Sequence, residues 1–212
     1  MDQAAVRQQK PAQEPTMPAS SRWTWADFIA LDEDDQRELV DGALVELEMP
    51  TYLHESIVAY LVTMLTFWTM THSGKVCGSG YKVRISQRRG VMPDVQYYRK
   101  GRQLPPQGLT EGAPDLVVEV ISPTSQSHDR VTKLRWYAAI GTREYWIVDP
   151  EERSVQQLVL QPGPDGDNHW LIADAVVVQA DPEVEAPAPL LWRPTTFDGL
   201  ELDLTRMFTV PE

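Results

Sequence analysis

The spacing of apolar residues changes along this chain, and each change predicts an element. Trp23 to Ala30 reads as a short helix capped by Thr24 or Ser21, followed by an acidic loop, Asp32 to Asp35. Arg37-Glu38-Leu39-Val40 and Ala43-Leu44-Val45-Glu46-Leu47 read as a hairpin across Asp41-Gly42, a pair suited to a turn with positive φ. Pro50 ends its second strand. Ile57, Val58, Leu61, Met64, Leu65 and Trp68 then recur at three- and four-residue spacing, which predicts a helix from His54 to about His72. Thr51 is its candidate cap, and His54 shares the apolar face, so it points inward. Strand-like runs follow at Tyr81–Ser86, Val91–Tyr98 and Leu116–Ile121, the first two joined tightly by Arg88-Arg89-Gly90. Asp129 to Ile140 is a helix ended by Gly141. Glu144–Asp149 is a strand, and Val155–Leu160 pairs with it. Trp170–Gln179 supplies one or two strands, and Gly199–Phe208 a strand and a short helical turn.

Hairpin, helix, three strands, helix, strand is the order of a mixed α/β sheet with helices on its faces. The 212 residues suffice for one sizeable core. Residues 1–20 are polar, contain Pro11, Pro15 and Pro18, and read as a flexible tail. Residues 21–212 read as a single domain, with a core over about 36–160 and an acidic extension over about 161–212. The single cysteine, Cys77, excludes an internal disulfide framework and reads as a small buried apolar residue. No run of 18 apolar residues and no secretory h-region occurs, so a cytoplasmic protein without a membrane span is expected.

The formal net charge of −12 argues against a general nucleic-acid binder. Its distribution changes that picture. From Asp149 onward thirteen acids face three bases, whereas Lys75 to Arg102 holds eight bases and one acid, Asp94. The basic stretch is either a solvated hairpin face or a phosphate-facing rim.

That lone acid is one of three groups that carry candidate chemistry. Pro93-Asp94 opens a strand, Glu119 interrupts the apolar run Leu116–Ile121, and Lys133 lies on the next helix. A carboxylate inside a buried strand requires a metal, a cation or a proton to offset it. If the two strands are neighbours, Asp94 and Glu119 reach one cation, and hard oxygen donors suit Mg²⁺ or Mn²⁺. Lys133 would position a water or offset transition-state charge.

These residues sit in an ordered series. Glu38-Leu-Val-Asp-Gly, His54 at a helix start and Pro93-Asp94-Val95 come first. Pro114-Asp115-Leu-Val-Val-Glu119-Val-Ile-Ser122-Pro123 follows, then Asp129-x-x-x-Lys133-x-x-x-Tyr137 and Gly141-x-x-Glu144-Tyr145-Trp146-Ile-Val-Asp149-Pro150. The series resembles the Uma-type family of endonucleases within the PD-(D/E)XK restriction-endonuclease-like superfamily, over residues 36 to 160 and more loosely to Phe208. The resemblance implies a restriction-endonuclease-like fold and Mg²⁺-dependent phosphodiester hydrolysis. Asp94 matches the Asp of Pro-Asp, Glu119 the acid of (D/E)XK, and the carbonyl of Val120 a third metal ligand. The superfamily's lysine slot, two residues after Glu119, holds Ile121, and Lys133 matches a lysine moved to the following helix. His54 matches a family histidine, to act at the metal or as a satisfied core histidine. Glu38 matches a family acid on the hairpin, to complete a second metal site or form a sheet salt bridge.

Glu55 reads as a helix-start residue, Asp115 as a turn residue, Asp129 as support for its helix start or a partner to a cation, and Asp149-Pro150 as a turn. Tyr137, one turn beyond Lys133, orients it or packs in the core. The expected function is cleavage of DNA by a metal-dependent endonuclease. The alternative is a catalytically inactive binding or assembly protein of the same fold, which Ile121 and the net charge favour. RNA cleavage ranks third, since the aromatic-basic pattern of single-strand RNA readers is absent. A homodimer is expected by analogy with nucleases that cut two strands.

Overall fold

The computed structural model describes residues 23–32, 34–47, 49–122, 126–164, 167–179 and 188–209, with the backbone alone for 126–130. The expected tail at 1–20, the Ser21 cap and the side-chain role of Asp129 lie outside the described residues. A six-stranded sheet, in the order β10-β9-β8-β7-β6-β3, forms the centre. It comprises β3 (Lys75–Gly78), β6 (Val95–Tyr98), β7 (Leu116–Val120), β8 (Glu144–Asp149), β9 (Ser154–Pro162) and β10 (Asn168–Val177). Only β7 and β8 run parallel, and the helix between them, α3 (Gln126–Ile140), makes the crossover such a pair needs. The mixed α/β sheet expected from the element order is present.

Alternation along the central strands assigns the two faces. Leu116, Val118 and Val120 of β7 and Trp146 and Val148 of β8 meet α2 (Tyr52–His72) through Ile57, Val58, Leu61 and Leu65. Burying each large side chain here contributes roughly 1.5–3 kcal/mol. Val117, Ile121, Tyr145 and Ile147 face the other way, toward Trp136 and Tyr137 of α3. The hydroxyl of Thr51 accepts the His54 N–H and caps α2, which starts at Tyr52, two residues before the expected His54.

A second sheet, β2-β1-β5-β4, covers part of the α3 side. It contains β1 (Arg37–Val40), β2 (Ala43–Glu46), β4 (Val83–Ser86) and β5 (Arg89–Val91), with α1 (Trp25–Ile29) packed on it through Trp25 and Phe28. The expected hairpin turn is there: Asp41 and Gly42 both have positive φ. Thr24 and Asp27 form a reciprocal capping box on α1.

Two expectations need correction. The run Val91–Tyr98 is not one strand: it breaks at Met92-Pro93-Asp94, and β5 and β6 join different sheets. Pro93 supplies no N–H to a ladder and restricts the residue before it, so the chain changes sheets there. Arg89 and Gly90 are strand residues rather than the joint. The short edge strand β3 was unforeseen because Lys75-Val-Cys-Gly carries little periodicity.

The acidic extension joins the core. Trp192 of β11 (Leu191–Trp192), Leu202 of β12 (Leu202–Asp203), Leu204 and Met207 of α4 (Leu204–Met207), and Phe197 and Leu200 pack with the α2 face. Gly199 to Phe208 is therefore the strand and helical turn expected. No helix among the described residues is long and apolar enough to cross a membrane.

Candidate functional site

β6 and β7 pair antiparallel, and the pairing ends with Val95 opposite Val118, so Asp94 and Glu119 each adjoin that last pair. The two acids, 25 residues apart in the chain, thus share one end of a strand pair. Oδ2 of Asp94 accepts the main-chain N–H of Val120 at 2.7 Å, which ties the acid to the end of β7. Val120 enters the site through its main chain, while its side chain lies in the α2-side core.

Glu119 alternates to the α3 face, where α3 presents Lys133 and, one turn later, Tyr137. Lys133 Nζ lies 3.2 Å from Glu119 Oε2, and the Tyr137 hydroxyl donates to Oε1 at 2.5 Å. Glu38 arrives from β1, with Oε1 3.3 Å from Lys133 Nζ and accepting the Met92 N–H at 3.0 Å. His54 comes from the first turn of α2, with Nε2 3.5 Å from Asp94 Oδ2. Its face toward the sheet is as expected. Five sequence candidates, Asp94, Glu119, Lys133, His54 and Glu38, therefore gather from β1, α2, the β5–β6 break, β7 and α3.

The cluster is closed. Its side chains are 6–16% exposed. Burial above all raises the Glu119 carboxyl; Lys133 pulls it down, the charges of Asp94 and Glu38 push it up, and the net is about 8. Burial pulls the His54 imidazolium down, but the Asp94 carboxylate and Glu55 outweigh it, and the net direction is upward.

Among the described residues no three His, Cys, Asp or Glu side chains gather as a ligand set. A cation would therefore rest on two carboxylates, with main-chain, solvent or substrate oxygens completing its shell. The donors of Asp94 and Glu119 are the hard oxygens that Mg²⁺ or Mn²⁺ takes. A carboxyl held near 8 by burial and by two neighbouring acids is a place where added positive charge is stabilised. The residues fit such an ion.

Tyr137 is more than core packing, since its hydroxyl binds Glu119; its spacing of four from Lys133 was the available signal. Asp115 is more than a turn residue: it accepts the Arg99 N–H and lies 3.6 Å from the Nε of both Arg99 and Arg143. Asp149 does form the expected turn, accepting the N–H of Glu151 and Glu152. Much of the basic stretch has internal partners. Lys82 is buried on the Phe28 carbonyl, Arg88 bonds the Asp41 carbonyl, Arg89 bonds the Asp41 carboxylate and covers the Trp136 ring, and Arg102 bonds the Ala113 carbonyl. A continuous phosphate-facing rim is not what these side chains build.

Among solved structures, the chain is similar to the crystal structure of "a putative nuclease belonging to DUF820 from Anabaena variabilis ATCC 29413". The two share 18% identity and a TM-score of 0.61, over 87% of this chain and 97% of that one. That likeness shows the fold. No curated protein matches the chain. The family model Uma2, described as "Putative restriction endonuclease", matches residues 25–195, a span that takes in both acids, Lys133, His54 and Glu38. The chain belongs to the Uma2 family.

Proposed function

We propose that this protein is an endonuclease that hydrolyses DNA phosphodiester bonds with Mg²⁺ or Mn²⁺ at Asp94 and Glu119. The observation that carries the reading is the placing of Asp94 and Glu119 at one end of the β6–β7 pair, with Lys133 bonded to Glu119. In this reading Asp94, Glu119 and the Val120 carbonyl hold the ion. When bound, such an ion supplies Lewis-acid polarisation of a phosphoryl oxygen and acidifies a coordinated water. The chain's own groups do the rest. Lys133, pre-positioned by Glu38, leaves Glu119 and offsets charge or orients the attacking water. Tyr137 keeps the freed Glu119 carboxyl oriented through Oε1. His54 sits behind Asp94 and fixes its rotamer. Ile121, apolar in the superfamily's lysine slot, takes no part, and Lys133 acts from α3 instead.

The test is cleavage of supercoiled, linear and single-stranded DNA with and without Mg²⁺ or Mn²⁺. Metal-stimulated cutting that Asp94→Ala abolishes supports the proposal.

A second reading, a non-catalytic binding or assembly protein of the same fold, draws on one observation. Both Glu119 oxygens are engaged by Lys133 and Tyr137 within a closed cluster. Failure to bind Mn²⁺ and to cut any DNA form would establish that reading instead.

A further inference from the structure

The strands that end at the candidate centre begin at a second polar site. Asp115 precedes β7 and Glu144 opens β8. Four residues of strand, roughly 13 Å, separate Asp115 from Glu119. α2 spans the same distance and more: His54 is at the candidate centre, and Trp68, roughly 21 Å along the helix, stands at the other end. At that far end, between Trp68 and the starts of β7 and β8, a cavity of about 360 Å³ opens against Trp68, Tyr97, Phe197, Arg99, Arg143 and Glu144, among others. That volume lies within the range, roughly 300–1,000 Å³, of pockets that take small molecules.

The chemistry of its walls is divided. One wall is aromatic: Trp68, Tyr97 and Phe197 contact one another edge to face, with centroids 5.0–5.7 Å apart. The Trp68 indole N–H is bonded to the Asp198 carbonyl, which sets the ring's orientation. At the mouth stand two guanidinium groups, Arg99 and Arg143, 58% and 65% exposed, both at 3.6 Å from one Asp115 oxygen. One carboxylate oxygen approached by two guanidinium Nε atoms leaves fork donors of both arginines for a ligand at the mouth. The inner polar wall is Glu144, 4% exposed, whose carboxylate accepts from the Trp146 indole, the Gln157 amide and the Thr196 hydroxyl. These partners hold it in place as a fixed acceptor.

We propose that this cavity binds a nucleoside monophosphate: its phosphate bridges Arg99 and Arg143, its base lies against Trp68, Tyr97 and Phe197, and a base N–H or amino group donates to Glu144. An anion alone would use the mouth and leave the aromatic wall bare. An apolar ring alone would leave the arginine pair unused. The site is separate from Asp94 and Glu119, and the inference does not depend on the nuclease reading.

The experiment titrates the purified full chain with the four nucleoside 5′-monophosphates, the corresponding nucleosides and inorganic phosphate. Calorimetry and tryptophan fluorescence read the binding, without added metal. Saturable binding of at least one monophosphate, tighter than its nucleoside and than phosphate, is expected. Arg143→Ala and Arg99→Ala, both at exposed positions, should each weaken it about tenfold or more. Asp94→Asn should leave it unchanged. The proposal is overturned if no monophosphate saturates, if phosphate alone binds as tightly, if both arginine variants bind like the parent, or if Asp94→Asn abolishes binding.

Discussion

Lys133 Nζ sits 3.2 Å from Glu119 Oε2, across the gap between α3 and the central sheet, with both side chains about nine-tenths buried or more. The same ammonium lies 3.3 Å from Glu38, so one cation joins the six-stranded sheet to the four-stranded one at this point. Removing it should leave two acids buried without their partner. Lys133→Met is expected to cost about 3–5 kcal/mol, read by chemical denaturation, and to abolish cleavage. Replacing all three of Lys133, Glu119 and Glu38 by apolar residues of similar volume should recover much of that loss without recovering activity. A Lys133→Met protein as stable as the parent would show that the ammonium does not organise this centre.

Asp94 tests the site from the other side. Asp94→Asn keeps an oxygen that can accept the Val120 N–H, so the fold should persist while Mg²⁺-stimulated cleavage is lost. Asp94→Ala removes that acceptor as well and should cost a further ~1–3 kcal/mol. Equal metal-dependent rates for parent and Asp94→Asn would remove this residue from the catalytic set.

Glu119 makes stability depend on pH with a defined sign. Its folded value, about 8, lies above the ordinary carboxyl value of 4.5, so the folded state binds the proton more tightly than the unfolded chain. That contribution is complete below about 4.5 and is lost as pH rises through about 8. Glu119→Gln keeps a neutral group of the same shape, so its stability relative to the parent should rise across this interval by a few kcal/mol. Denaturation midpoints at pH 4, 6 and 9 would measure it. A constant difference between the two proteins across that range would contradict the shift.

Tyr137→Phe removes only the hydroxyl that donates to Glu119. The expected loss is about 1–2 kcal/mol, with cleavage lowered but not abolished and its pH profile displaced. An unchanged pH profile would reduce Tyr137 to packing.

The layer that carries Glu38 depends on close approach at Gly90. A Cβ there would lie 2.8–2.9 Å from the rings of Phe28 and Trp25. Gly90 pairs with Leu39, the neighbour of Glu38, so Gly90→Ala should push α1 or β1 outward. About 1–3 kcal/mol of destabilisation is expected, with reduced cleavage through displacement of Glu38. Thermal unfolding and activity measured on one sample would check both.

Local pattern made much of the chain legible. Helix α2 follows from its apolar spacing and Thr51, the β1–β2 hairpin from Asp41-Gly42, and β7, α3 and β8 from their runs and from Gly141. Glu119 stood out because a charge within a buried run requires a partner wherever the run is placed, Asp94 as the acid of Pro-Asp at a strand start, and Lys133 as the lysine on the next helix. The pairing of strands was not legible. Pro93 signals a break in the strand, but nothing near it says which sheet each half joins, and nothing near Glu38 says that β1 brings it to Lys133. Trp192, Phe197 and Leu202 sit in an acidic stretch, yet they complete the core on α2. The cavity between Arg99, Arg143 and the aromatic wall joins residues from six separate stretches. Spacing along the backbone decides what each segment can become, because helix and strand periods act over a few residues. Which segments meet is decided by burial of one face against another, a property of the assembled chain that no short window contains.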